Sequence, residues 1–203
     1  MTPPPEPDPL VSAPPRRRRA MIASVVGALV LLMTLLVVGL VRGQVGVSGN
    51  VLVPEAQRSA AGKLSLPLLS DGPLGKAGTE IDLAKFRGRP VILNFWASWC
   101  TGCREESDTL NALAVSAGKQ GVVTLGVNTR DVRDYAVAFA REQKMPFASV
   151  RDRSNEVSDR FSVAKYPETF VIDRQGRIAA HILGPINDPQ LGALVVGAVE
   201  AVL

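Results

Sequence analysis

The chain has 203 residues, of which 46% are hydrophobic, and a net charge of +4. That length allows one ordinary domain plus appendages. The positive charge is concentrated at the start, where Arg16–Arg19 and Arg42 face only Glu6 and Asp8. The rest is nearly neutral, with none of the basic stripe that nucleic-acid binding needs.

In chain order, residues 1–19 open with the Pro-rich "MTPPPEPDPLVSAPP" and end in "RRRR". Such a stretch cannot supply a core and reads as a disordered cytoplasmic tail. Residues 20–41 contain no charge, and as a helix they would extend about 33 Å at 1.5 Å per residue. A bilayer core is roughly 30 Å thick, so the run predicts one transmembrane signal anchor, with lipid as its partner. A cleaved signal peptide would have an apolar region of about 7–15 residues and a small-residue cleavage site, and "RGQVGVSGN" matches the latter weakly. Four Arg before the span and only Arg42 close behind it keep the N-terminus cytoplasmic. The chain is therefore expected to be a single-pass protein of the cell membrane, with its C-terminal domain outside the cytoplasm, where disulfides persist.

Residues 42–63 read as a linker, and 64–203 as the folded domain. "LSLPLLS" predicts an extended segment and "EIDLAKF" a single helical turn. "VILNFWA", Val91 to Ala97, predicts a strand buried on both faces. Cys100 to about Lys119 predicts a helix with Leu110, Leu113, Ala114 and Ala117 on one face. "GVVTLGVN" is a second buried strand. In "RDVRDYAVAFAREQK", Val132, Tyr135, Ala136 and Phe139 recur at helical spacing. "FASVRD" is a third strand, and "SNEVSDRF" a short helix with Ser154 as its expected N-cap. "TFVID" and "RIAAHIL" read as a hairpin joined through "RQG". The last helix starts at Asp188 and Pro189. This order implies an α/β fold with a mixed central β-sheet and helices on both faces.

Cys100 and Cys103 are the only cysteines. Structural zinc usually takes four Cys or His ligands, and the single histidine, His181, lies far away in a predicted strand, where it reads as a sheet residue. Haem attachment requires C-x-x-C-H, and Arg104 follows Cys103. A structural disulfide closing so short a loop gains little. A redox dithiol fits better. Cys100 stands at the start of a helix, where free N–H groups and the helix dipole favour a thiolate, and Cys103 lies one turn further in. Cys100 is then the nucleophile and Cys103 the resolving thiol. No metal and no cofactor besides this redox-active disulfide are expected.

"VILNFWASWCTGCREE" resembles the first strand and active-site helix of thioredoxin-like proteins. Together with "KYPETFVIDRQGRI" it is similar to the membrane-anchored TlpA/ResA/DsbE (CcmG) group, over a region running from about Leu64 to the C-terminus. The resemblance implies a thioredoxin-like fold. It puts Pro167 in the place of the cis-proline that faces the dithiol. Tyr166 and Pro167 become candidate substrate-binding residues, and Trp99, beside the dithiol, is taken with them. The alternative is an ordinary trans proline starting a strand. Cytoplasmic thioredoxins carry a buried Asp where this chain has Asn94, so another group must help deprotonate Cys103. Glu106, three residues after Cys103 and on the same helical face, is the candidate, against the alternative of a solvated Glu. Glu105 reads as a surface residue, and Glu168 is expected to border the site. Thr101-Gly102 stands between the cysteines, where family members often have proline.

The implied activity is a membrane-tethered thiol–disulfide oxidoreductase acting as a reductant in cytochrome c maturation. Its partners would be apocytochrome c or maturation proteins, with a membrane thiol reductant of the DsbD/CcdA kind to recharge it. A general disulfide reductase, a net thiol oxidase, and a non-catalytic assembly adaptor are the alternatives. A peroxidase is disfavoured, because no Thr-x-x-Cys leads into Cys100.

Overall fold

In the computed structural model, Met21, residues 25–35 and residues 49–203 are described. Met21 and residues 25–35 are helical and exposed. Among the described residues no helix is long and apolar enough to cross a membrane. The Pro-rich tail and ten of the 22 residues of the expected 20–41 span lie outside the described residues.

Residues 49–203 belong to one unit. Its strands are β1 (Val51–Leu52), β2 (Ser65–Pro67), β3 (Glu80–Asp82), β4 (Val91–Trp96), β5 (Val123–Thr129), β6 (Ala148–Asp152), β7 (Glu168–Ile172) and β8 (Ile178–Leu183). Its helices are α1 (Thr101–Gly118), α2 (Arg133–Glu142), α3 (Glu156–Arg160) and α4 (Pro189–Glu200). Six strands form one sheet in the order β1-β8-β7-β4-β5-β6. The β4–β5 and β5–β6 pairs are parallel, while β4–β7, β7–β8 and β1–β8 are antiparallel. The mixed sheet expected from the sequence is therefore present.

Every residue of β4 is buried, and its alternation assigns the layers. Val91, Leu93 and Phe95 join a core with Val157 of α3 and Phe161, where the rings of Phe95, Phe161 and Phe170 meet tilted or edge-on. Ile92 faces the opposite way, into a core with Leu110 of α1 and Val195 of α4. Trp96, on the same side as Ile92, stacks on Phe139 of α2. Helices thus cover both faces.

Four details differ from the sequence reading. The stretch read as a linker already contributes to the sheet, since β1 pairs with β8 and Ala60 bridges Arg177. Arg58 also reaches across to Asp173 at 3.4 Å. Glu80–Asp82 is a strand paired with β2, and only Leu83–Phe86 form a turn of 3-10 helix, capped by Asp82. Val132 and Tyr135 are exposed although Ala136 and Phe139 are buried. The residue before α3 is Asn155 in a left-handed conformation, without a side-chain cap, so Ser154 is not the N-cap. Asp188 does cap α4, accepting the N–H groups of Gln190 and Leu191. The hairpin turn closes on Asp173, whose Oδ1 accepts the Gln175 and Arg177 amides, with Gly176 at positive φ.

Topology gathers four loops at one end of the sheet. The parallel strands β4 and β5 end there, and the antiparallel strand β7 begins there, with Glu168 opposite Phe95. The end of β8 joins them, as Leu183 pairs with Glu168. Loops leaving the carboxyl ends of adjacent parallel strands are where α/β proteins place their chemistry.

Candidate active site

Cys100 follows β4 and is the N-cap residue of α1. Cys100 and Cys103 form a disulfide, with their Cα atoms 5.3 Å apart. The Cys103 N–H donates to Cys100 Sγ at 3.0 Å. The first-turn amides of a helix have no intrahelical acceptor, so an anionic sulfur at the cap has a donor ready for it. Both sulfurs belong to residues that are nearly buried, Cys100 at 6% exposure and Cys103 at 2%.

Trp99 forms an exposed rim at 59% exposure. Its indole N–H donates to the Arg130 carbonyl at 2.9 Å, and its ring meets Tyr166 edge-on at 5.6 Å. The Tyr166–Pro167 bond is cis, as the resemblance implied. Gly102 explains how closely Pro167 sits over the dithiol: a Cβ on Gly102 would lie 3.0 Å from Pro167 Cδ. The expected group Trp99, Cys100, Cys103, Tyr166 and Pro167 is thus drawn together.

Beneath the dithiol, Glu106 is buried at 1% exposure, so the reading of a solvated glutamate is set aside. Its Oε1 accepts from Asn94 Nδ2 at 2.9 Å, and its Oε2 from the Ile186 N–H at 2.9 Å. Burial pushes its carboxyl from the ordinary 4.5 to about 7, against the opposing pull of the Ile186 and Asn94 donors. Asn94 Nδ2 also donates to Thr169 Oγ1 at 3.1 Å. Asn94 Oδ1 has no hydrogen-bond partner among the described residues, leaving an idle acceptor beside a carboxyl that can hold a proton near neutrality. Glu105 is exposed, as expected. Glu168 directly follows Pro167 but is fully buried, and it pairs with His181. Among the described residues no group of His, Cys, Asp and Glu could hold a metal ion.

Sequence reasoning missed Asp131. It accepts from the Ser98 N–H at 2.6 Å, from Ser98 Oγ at 2.7 Å and from Asn128 Nδ2 at 2.8 Å. With Arg130 holding Trp99, the loop after β5 clamps the loop that presents Cys100. The available signal was position: Asp131 lies just past the end of a predicted strand, which in the fold runs parallel to and beside the one leading to the cysteines. Asp131→Ala leaves three donors without their acceptor and is expected to lower unfolding free energy by about 2 kcal/mol, read from urea denaturation. An unchanged midpoint and slope would remove the clamp from this account.

Residues 58–181 match the model of the AhpC/TSA family. The chain is 35% identical over 136 residues to the thiol:disulfide interchange protein HelX of Rhodobacter capsulatus, covering 66% of this chain and 75% of that protein. It is 36% identical over 110 residues to the thiol-disulfide oxidoreductase ResA of Geobacillus thermodenitrificans, covering 54% of this chain and 63% of that protein. Among solved structures, a secreted thiol-disulfide isomerase from Corynebacterium glutamicum aligns with a TM-score of 0.64 at 28% identity, covering 77% of this chain and 95% of that one.

Proposed function

The chain belongs to the AhpC/TSA family and is a thiol–disulfide oxidoreductase, and from that premise we propose that it is a membrane-tethered reductant of disulfides outside the cytoplasm. The observation that carries the reading is the Cys100–Cys103 disulfide at the N-terminus of α1, flanked by Trp99, Tyr166 and cis-Pro167 and underlain by Glu106. In the reduced protein the Cys100 thiolate attacks one sulfur of a substrate disulfide, and the other substrate sulfur leaves as a thiolate. Cys103 then gives its proton to Glu106 and attacks Cys100 Sγ. The second substrate thiolate departs, and the disulfide seen here is formed. Two electrons have passed to the substrate, and the dithiol itself is the only redox group the scheme uses.

The resemblance to the TlpA/ResA/DsbE group supports a place in cytochrome c maturation, with apocytochrome c or a maturation protein as substrate. A membrane thiol reductant of the DsbD/CcdA kind would return the electrons. The uncharged run at 20–41 and the Arg16–Arg19 flank support a single crossing with the domain outside. A reporter fused after Leu203 is then expected to read as external, and a cytoplasmic signal would overturn the topology. For the substrate, Cys103→Ser in cells is expected to hold a c-type apocytochrome or a maturation partner in a mixed disulfide. Normal cytochrome c in a deletion strain, with no such adduct, would sink the assignment. A strongly oxidising potential for the pair would reassign the protein as a net oxidase.

A further inference from the structure

The cis bond is reached through a short loop, residues 164–167, between α3 and β7. A carboxylate from the strand that follows holds this loop in place. Glu168 Oε1 accepts the N–H groups of Ala164 and Lys165, each at 2.9 Å. Glu168 Oε2 lies 2.6 Å from His181 Nε2. His181 stands on β8 directly opposite Phe170 and stacks on its ring, with centroids 4.0 Å apart and planes 12° from parallel. Glu168 precedes Phe170 by two residues, so it shares that face of β7, and the pair spans the diagonal of the ladder. Glu168 has no exposure and His181 only 4%. The exchange steps through Cys100, Cys103 and Glu106 do not use this pair.

We propose that His181 is a positioning residue for substrate: acting through Glu168, it fixes the Ala164–Pro167 loop and so sets how well an incoming polypeptide is held beside Cys100. The proposal rests on the reading of Tyr166 and Pro167 as the substrate edge. A buried carboxylate oxygen that loses its donor bears the full cost of desolvation. Without His181 the Glu168 carboxylate would turn to find another donor, and the two loop amides would lose their shared acceptor. A small disulfide needs only the sulfur of Cys100. A polypeptide disulfide also needs the loop.

The test uses the full-length reduced protein in detergent, with insulin as the polypeptide disulfide and oxidised glutathione as the small one. His181→Phe keeps the ring on Phe170 and removes the hydrogen bond to Glu168. The ratio of the insulin rate constant to the glutathione rate constant is expected to fall about tenfold, as the loss of one charged hydrogen bond implies. His181→Gln, whose amide can donate to the same oxygen, is expected to recover most of that loss. A wild-type ratio in His181→Phe overturns the proposal, as does an equal fall with both disulfides, which would mean that the dithiol itself had changed. No recovery in His181→Gln also counts against it. Should His181→Phe fail to fold, Glu168→Ala breaks the same link from the other side, and a wild-type ratio there overturns the proposal equally. Tyr166→Ala separates the premise from the inference. An unchanged ratio in that variant refutes the substrate edge, and the positioning role with it. A lowered ratio in Tyr166→Ala beside a wild-type ratio in His181→Phe refutes the positioning role alone.

Discussion

Cys100→Ser is expected to bring disulfide reduction down to the uncatalysed background, while Cys103→Ser is expected to react once and stop as a stable mixed disulfide. The asymmetry follows from position on α1. Cys100 is the N-cap, and its sulfur accepts the Cys103 amide, so negative charge there meets an unpaired donor and the positive end of an 18-residue helix. A serine hydroxyl at the same place stays protonated near neutral pH and does not attack a disulfide. Cys103 lies inside the first turn at 2% exposure, reachable by Cys100 and shielded from a partner. Its removal therefore spares the attack and abolishes the resolution. Insulin reduction followed by turbidity, with mass spectrometry of non-reduced adducts, separates the two variants. Adducts formed through Cys103 in Cys100→Ser would reverse the assignment of roles.

The parts of this fold that local pattern decides were legible. β4 is a run of strand length, apolar but for Asn94, and is buried on both faces. α4 begins at an Asp-Pro pair that caps it as such pairs do. The parts that distant segments decide were not legible. β1 is two residues long and exists because β8 offers an edge. Glu80–Asp82 alternates exposed, buried, exposed against β2, a pattern too short to separate from a helical turn. Val132 and Tyr135 fit the helical period, but α2 starts only at Arg133 and its buried stripe is confined to Ala136 and Phe139. The same division holds in the site. Cys100, Cys103 and cis-Pro167 lie in contiguous motifs, whereas Asp131 and the Glu168–His181 pair act across 33 and 13 residues of sequence. The Asn94–Glu106 contact was within reach because both residues flank one short stretch, and the absence of an acid at Asn94 raised the question of what replaces it.

Glu106→Gln is expected to slow resolution of the mixed disulfide about a hundredfold, the low end of what a positioned acid–base group contributes. It should also remove the dependence of that step on a group titrating near pH 7. The wild-type carboxyl, raised to about 7 chiefly by burial, is poised to accept a thiol proton at neutral pH and to release it again. An amide cannot do this. The same shift bears on stability, and its sign is fixed by which state holds the proton. Between the ordinary value of 4.5 and about 7, the folded protein keeps a proton that the unfolded chain has lost. Stability therefore falls as pH rises through that window. The cost is absent below it and complete above it, at about 3 kcal/mol for a shift of this size. Glutamine fits the space but cannot accept from both Asn94 and Ile186, so Glu106→Gln begins at a disadvantage in acid. Going from pH 4.5 to pH 8, the variant is expected to gain on the wild type by about 3 kcal/mol in urea unfolding of the oxidised protein. A stability difference independent of pH would show that Glu106 ionises as an ordinary glutamate. Resolution at the wild-type rate with the wild-type pH profile would leave Cys103 to be deprotonated by some other group.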